Sequence, residues 1–198
     1  IDVIVIDDGS NDGTGKIAQD QGAVVIAHTQ KMGKGVSLRE GFDYAIKSDY
    51  AGIITLDGDG QHAIDDLDQF LAKAEEAPQS IITGTRMNNY EGMPLLRLWV
   101  NRSMSSVISK LCRQNIPDTQ CGYRYIGRDI LEQVRLTSKD FQIESEVLIL
   151  AARRGFPIIS VPIKTIYSNE SSKINPLIDT IRFFIFITKI VFTKDHHK

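Results

Sequence analysis

Two carboxylates, Asp57 and Asp59, stand one glycine apart at the end of an apolar run, Ile53-Ile-Thr-Leu-Asp-Gly-Asp-Gly-Gln-His62. Charge that follows directly on strand-like residues falls at a strand's carboxyl end, where open α/β sheets bind their ligands. Hard oxygen donors at this spacing suit Mg²⁺ or Mn²⁺, which take one or two carboxylates together with the phosphate oxygens of a substrate. A second acidic pair, Asp7-Asp8 before Gly9-Ser10, closes the run Val3-Ile-Val-Ile6. Aspartate and glycine also build ordinary turns, but two strand ends with paired acids point to a ligand. A calcium loop of the EF-hand type is excluded at both. After Asp57, Gln61 and His62 stand where that loop needs Asp or Asn and a glycine, and Asp68 replaces its closing Glu.

Gly33-Lys34-Gly35 has the look of a phosphate loop, yet no glycine lies five residues before Gly33 and no Ser or Thr follows Lys34, which rules out a Walker A site. A lysine between glycines at a helix start can still reach a diphosphate, because backbone N–H groups point outward there. The plain alternative is a solvated cation at a helix terminus. Arg86, Arg97 and Arg102 supply guanidinium groups, the usual two-pronged grip on phosphate. The last two sit at the start and within one predicted helix, and each taken alone is more often a surface residue. His62 beside the acids is read as a ligand, a phosphate partner, or a support for its neighbours.

The elements that must position these groups alternate along the first half of the chain. Residues 3–6 form a β-branched strand, and Ser10 to Thr14 offers N-caps for a helix over 14–20. Residues 22–27 read as a second strand and Lys34 to Lys47 as a helix, with Val36, Leu38, Phe42 and Ala45 near one face. Residues 53–56 make a third strand. Ile64, Leu67, Phe70, Leu71 and Ala74 then recur at helical spacing up to Pro78, and residues 80–85 make a fourth strand. This alternation predicts a parallel sheet covered on both faces. Beyond Arg86 the spacing predicts a helix over 94–111, a loop entering a short strand over 118–125, a helix over 142–154 stopped by Gly155, and a strand over 158–166. There is no internal repeat and no low-complexity linker.

A length of 198 residues is enough for one domain with a substantial core. Twenty-three basic against 25 acidic side chains leave a net charge of −2, which argues against nucleic acid as a partner. Cys112 and Cys121 lack a CxxC or a histidine pair, so they suggest neither zinc nor a disulfide framework, and a reducing, cytoplasmic setting is expected. The chain opens inside a strand-like run with no signal peptide or initiator Met in view, so its natural N-terminus is expected to lie upstream of Ile1. The tail from Pro176 to Phe192 holds Phe183-Phe-Ile-Phe-Ile187 but also Arg182 and Lys189, too short and too charged to span a bilayer. It fits a helix lying in a membrane interface, or one packed on the sheet or on a second subunit.

Taken together, Val5-Ile-Asp-Asp-Gly-Ser-Asn-Asp-Gly-Thr14, Gly33-Lys-Gly35, Asp57-Gly-Asp-Gly-Gln-His62 and Asp118-Thr-Gln-Cys-Gly-Tyr-Arg124 resemble family-2 glycosyltransferases. They are most similar to the polyprenyl-phosphate branch, the dolichyl-phosphate mannose and glucose synthases and their bacterial relatives. The resemblance runs from Ile1 to about Lys173 in order. It implies an α/β fold of the A-type glycosyltransferase class, with a Rossmann-like, mostly parallel sheet and helices on both faces. A glycosyltransferase domain would occupy residues 1–175, leaving residues 176–198 for the apolar helix, whether it lies in a membrane interface or packs on protein. The resemblance further implies a UDP- or GDP-linked sugar donor, a divalent Mg²⁺ or Mn²⁺, and a polyprenyl phosphate acceptor at the cytoplasmic membrane face.

Matched residue by residue, the resemblance puts Asp7 and Asp8 against the base and ribose, Asp57 near the ribose and metal, and Asp59 and Gln61 among the metal's ligands. Arg86, Arg97 and Asn101 or Arg102 match positions associated with the acceptor phosphate, Asp118 faces the sugar, and Ser172-Lys173 lies near the mouth. Asp118, Asp59 and Arg86 form the implied catalytic set. The family's first strand, with its Pro-x-x-Asn-Glu segment, is expected before Ile1. The reaction expected is inverting transfer, in which metal and Lys34 neutralise the departing nucleoside diphosphate. A phosphate acceptor needs no general base; a hydroxyl acceptor needs one, with Asp118 or Glu144 as candidates. Two further readings stay open: a soluble transferase acting on a saccharide or protein, and a non-catalytic nucleotide- or metal-binding module.

Overall fold

The structure is a computed structural model describing residues 1–87, 95–164, 166 and 176–192. Strand β1 (Ile4–Asp7), helix α1 (Thr14–Asp20) and strand β2 (Val24–Ala27) come first, followed by α2 (Lys34–Lys47) and β3 (Gly52–Thr55). A single 3₁₀ turn (Ile64–Asp66) leads into α3 (Leu67–Glu76), then β4 (Ile81–Thr85), α4 (Leu95–Cys112), β5 (Arg124–Gly127) and α5 (Arg128–Gln133). Helix α6 (Ile143–Arg153), β6 (Ile158–Pro162) and α7 (Pro176–Phe192) complete the described elements. The predicted elements all lie within a residue or a few of these bounds; α5 was not foreseen, since six residues hold too few turns to show a period.

The sheet departs from the parallel arrangement in two ways. Strands β3, β4 and β6 share one direction, but β5 inserts between β3 and β4 antiparallel to both, in the order β3-β5-β4-β6. Antiparallel insertion is what brings the start of β5 to the carboxyl ends of β3 and β4: Arg124 pairs with Thr55 and with Thr83. The loop that enters β5 therefore lies beside Asp57 and Arg86. The second departure is that β1 and β2 pair parallel to each other but not with β3. Helix α2 packs on both groups, and Gly41 faces Ile6 of β1 and Ile53 of β3 at 3.8 and 3.9 Å, measured from where a Cβ would stand.

Two-residue alternation sorts the strands onto two cores, because successive side chains leave opposite faces of a sheet. Ile53, Ile81, Ile126 and Ile158 join α2, α4, α5, α6 and α7 on one face. Ile54, Ile82, Tyr125 and Ile159 join Phe70 of α3 on the other. Helices thus cover both faces, as the alternation predicts. Phe70 and Tyr123 stack at 4.2 Å between centroids with planes 9° apart, a contact worth about 1 kcal/mol beyond the area it buries. Helix α7 contributes Phe183 and Ile190 to the first core, and Arg153 of α6 donates to the Ile190 carbonyl at 2.8 Å. Its other side, with Phe184, Ile185, Val191 and Phe192, is exposed.

Candidate functional site

Asp57 leaves the end of β3 half-buried, and the cation nearest to it is the ammonium of Lys34. Lys34 Nζ lies 2.6 Å from Asp57 Oδ1 and 2.8 Å from Glu144 Oε1, bridging the first residue of α2 to the start of α6. Burial works against the lysine's charge, but the two carboxylates outweigh it and hold its pKa above the ordinary value. The same pairing acts in reverse on Asp57: burial opposes ionisation, while His62 and Lys34 hold the carboxyl well below the usual range. His62 Nε2 stands 3.6 Å from Asp57 Oδ2, beyond hydrogen-bond length, and its buried Nδ1 has no hydrogen-bond partner among the described residues. Its ring rests tilted on Tyr123 at 5.2 Å.

Lys34 is aimed by the glycines on either side of it. Gly33 adopts φ +99°, a conformation other residues rarely reach, and turns the chain into α2. Gly35 N donates to the Lys139 carbonyl at 2.8 Å, and a Cβ there would collide with the backbone of Ser138 and Lys139. That partner loop is itself fixed by the buried carboxylate of Glu146, which accepts from Thr137 N at 3.0 Å, Thr137 Oγ1 at 2.7 Å and Ser138 N at 2.8 Å. The glycines serve a close backbone approach between α2 and the entry to α6.

A second cluster lies at the end of β4. Asp118 is fully buried and accepts from Arg86 Nε at 2.7 Å, Arg86 Nη2 at 3.0 Å and Asn101 Nδ2 at 3.0 Å. The backbone N–H groups of Arg86 and Gln120 add two longer bonds, at 3.3 and 3.1 Å. Burial opposes the charge on Asp118, but the Arg86 guanidinium and the Asn101 amide more than offset it and keep the carboxyl below its ordinary pKa. A carboxylate so fully occupied holds a cation in place and is a poor proton acceptor. The segment 118–124 then bends back toward the first cluster. Arg124, 2% exposed, donates to the carbonyls of Thr119, Cys121 and Glu144, and Gly122 sits so close to Asp57 that a Cβ would strike its carboxylate.

The expected site residues divide accordingly. Lys34, Asp57, Asp118 and Arg86 meet in two clusters joined through Gly122, and Asn101 joins them from α4. Asp8 reaches the first cluster indirectly, since its Oδ2 accepts from Gly33 N at 2.9 Å, the residue before Lys34. Asp7 instead engages Ser10, whose hydroxyl and backbone N–H, the latter 2.9 Å from Oδ1, lower its pKa. Asp59 is exposed and holds the turn by accepting from Gln61 N at 3.0 Å. Arg97 and Arg102 lie on different sides of α4; Arg102 lines a groove of about 480 Å³ with Ser106, Lys110 and Arg113. Lys173 lies outside the described residues.

Among the described residues no three His, Cys, Asp or Glu side chains gather as a metal site by themselves. The donor set nevertheless fits a hard cation: Asp57 is ionised, already pairs with a cation, and has Asp59 and Gln61 just beyond it on the same loop. Two residues escaped the sequence reading. His28 and Glu40 carry no motif, but His28 joins Asp8 to Glu40 behind the Gly33 turn.

Comparison with known proteins gives a consistent picture. The family model described as glycosyl transferase family 2 matches residues 1–135. A UDP-N-acetylglucosamine–dolichyl-phosphate N-acetylglucosaminyltransferase of Methanococcus voltae is 30% identical over 193 residues, covering 85% of this chain and 76% of that protein. A polyprenol monophosphomannose synthase of Mycolicibacterium smegmatis is 30% identical over 175 residues, covering 82% of this chain and 66% of that one, so the chain spans about two thirds of its length. Among solved structures, glucosyl-3-phosphoglycerate synthase from Mycobacterium tuberculosis, in complex with Mn²⁺, UDP and phosphoglyceric acid, superposes with a TM-score of 0.70 at 16% identity. That match covers 98% of this chain and 69% of the other, and it speaks for the fold.

Proposed function

The chain belongs to glycosyl transferase family 2 and is a glycosyltransferase, and from that premise we propose that it moves a sugar from a nucleoside diphosphate to a polyprenyl phosphate with the help of Mg²⁺ or Mn²⁺. The observation that carries the proposal is the ammonium of Lys34 bridged to Asp57 and Glu144 where β3, α2 and α6 meet. A cation-binding carboxylate and an ammonium held beside it, both at strand and helix ends, are what a departing diphosphate requires. Relatives named for transfer to dolichyl or polyprenyl phosphate support the acceptor class.

In this reading Asp57, Asp59 and Gln61 would hold the metal, which when bound supplies Lewis-acid neutralisation of the leaving diphosphate. Lys34 exchanges its carboxylate partners for diphosphate oxygens as the donor enters, and the backbone N–H groups at the start of α2 add dipolar attraction. Asp118 keeps Arg86 fixed in a buried frame next to the sugar. Because Asp118 is already occupied by Arg86 and Asn101, it favours an acceptor that arrives anionic and needs no base. A polyprenyl phosphate meets that condition. Arg97, Arg102 and Lys173 are assigned to the acceptor's approach, and Asp7 and Asp8 to the nucleoside side.

The exposed side of α7 supports a peripheral contact with a membrane. Phe184, Ile185, Val191 and Phe192 fall at helical spacing along one side, with Arg182 and Lys189 beside them, a pattern that seats in a headgroup layer. No helix among the described residues is long and apolar enough to cross a membrane. The two cysteines are free and buried, in keeping with a reducing cytoplasmic setting.

The test is a panel of UDP- and GDP-linked sugars with Mn²⁺ or Mg²⁺, with and without polyprenyl phosphate, scored by mass spectrometry of the lipid product. One donor should give a lipid-linked sugar, and Asp59→Asn should lower kcat/KM by about a hundredfold or more, the scale of a lost electrostatic catalyst. Transfer to a saccharide or protein instead, or full activity in Asp59→Asn, would refute the assignment.

A further inference from the structure

The ring of His28 is clamped between two carboxylates that come from different elements. His28 follows β2, and its backbone N–H closes the β1–β2 pairing on the Asp7 carbonyl at 2.9 Å. Its Nδ1 lies 2.7 Å from Asp8 Oδ1 and its Nε2 lies 2.7 Å from Glu40 Oε2, with the side chain only 8% exposed. A neutral imidazole carries one N–H and one lone pair. In that form one of the carboxylates would face a lone pair at hydrogen-bond distance. The imidazolium, with two N–H groups, satisfies both.

What the ring holds in place matters for the site. Asp8 Oδ1 also accepts from Met32 N at 2.6 Å, and Asp8 Oδ2 accepts from Gly33 N at 2.9 Å. The carboxylate thus fastens the end of β1 to the turn that leads into α2. Lys34 follows at once and delivers its ammonium to Asp57 and Glu144. Glu40 sits farther along the same helix, so the ring grips α2 and, through Asp8, the turn before it. An unbroken line of contacts runs Glu40, His28, Asp8, Gly33, Lys34, Asp57.

We propose that His28 is a positioning residue for the donor diphosphate: as an imidazolium it neutralises Asp8 and Glu40 together, orients Asp8 onto the Met32 and Gly33 amides, and so fixes where Lys34 points. The inference rests on the donor reading given above and adds to it a residue that touches neither sugar nor phosphate. The charged groups acting on the ring among the described residues are Asp8, at the end of β1, and Glu40, on α2. Their hydrogen bonds raise its pKa above the ordinary 6.5 against the opposing effect of burial. The clamp is therefore complete below pH 6.5 and is released as pH rises through the elevated value. Donor affinity falls over that same interval.

The experiment measures binding of UDP and GDP, each with Mn²⁺, by calorimetry across this pH range on the full chain, its His28→Gln variant and its Glu40→Gln variant. For His28→Gln the expected result is a loss of about tenfold in nucleotide affinity at neutral pH, with the alkaline decline abolished. Its kcat at saturating donor should stay within about threefold of the parent. Glu40→Gln keeps a hydrogen-bonding partner but removes one charge, so the alkaline decline should move to lower pH. A merely structural role would not move that midpoint, and this variant carries the test if His28→Gln does not fold.

Parent-like affinity and an unshifted pH profile in the variants would overturn the proposal. A readout free of any ligand separates it from the donor reading: ring ¹⁵N shifts of His28 and hydrogen exchange at the Met32 and Gly33 amides. If the parent binds neither nucleotide, the donor reading fails and the ring titration still decides the clamp. A doubly protonated ring persisting above pH 6.5 with both amides protected supports it, and a ring already neutral there overturns it.

Discussion

Replacing Asp118 with Asn changes one oxygen to an amide and leaves the volume untouched, so its cost measures electrostatics and hydrogen bonding alone. Asp118 Oδ1 accepts from Arg86 Nη2, Asn101 Nδ2 and Gln120 N, and Oδ2 accepts from Arg86 Nε and Arg86 N. The new amide nitrogen must face either three donors or two. Its better orientation puts the nitrogen at the Oδ2 side and forfeits the 2.7 Å bond to Nε and the 3.3 Å bond to the backbone. A charge-assisted bond is worth about 1.5–3 kcal/mol and a neutral one about 1 kcal/mol. Their sum agrees with the roughly 3–5 kcal/mol lost when one partner of a buried ion pair is removed.

Against a typical domain stability of about 5–15 kcal/mol this is a large fraction. Urea unfolding followed by circular dichroism at neutral pH should show the midpoint falling with the slope unchanged. The difference should also depend on pH in a definite direction. Because the folded pKa of Asp118 is depressed, the parent's advantage is complete above the ordinary value of 3.8 and is lost as pH falls through the lower folded value. Adding Arg86→Met to Asp118→Asn should cost less than the two single losses combined, since both single changes remove the same Arg86–Asp118 interaction. A single-variant loss under about 1 kcal/mol, or strict additivity in the double variant, would refute the buried-pair account.

Two other perturbations act on the Asp57 cluster. Gly122→Ala would push a methyl group into the Asp57 carboxylate, so metal and donor affinity should drop by about tenfold or more while the far-UV spectrum is retained; calorimetry with Mn²⁺ and nucleotide checks it. Lys34→Met leaves Asp57 and Glu144 facing each other without the ammonium between them. Nucleotide affinity should fall about tenfold, and the Asp57 carboxyl should titrate at a higher pH than in the parent, readable by ¹³C NMR of the side chain.

Much of the site was legible because its parts are local. A β-branched run that ends in Asp-Gly-Asp needs no distant partner to place acids at a strand tip, and the alternation of Ile81 with Ile82 assigns each to its own core. Gly33 and Gly35 likewise marked a special backbone, although the reason for Gly35, the Ser138–Lys139 backbone packed against it, lies far along the chain. The roles of Arg86 and Asp118 were less accessible. Either residue type suits a phosphate or a sugar, and only their separation of 32 positions, closed to 2.7 Å by folding, reveals that they bind each other.

The amino-acid sequence by itself determined the order of strands and helices apart from the short α5, the two faces each strand presents and the acids at the tips of β1 and β3. These follow from periodicity and turn chemistry, which act over a few residues. Tertiary structure alone decided that β5 runs against its neighbours, that Lys34 spans Asp57 and Glu144, and that His28 stands between Asp8 and Glu40. Such pairings are set by which segments the packed core brings together, and an ionisable side chain carries no mark of its distant partner. Its charge state, and with it its chemistry, is fixed only once that partner and the exclusion of water are both in place.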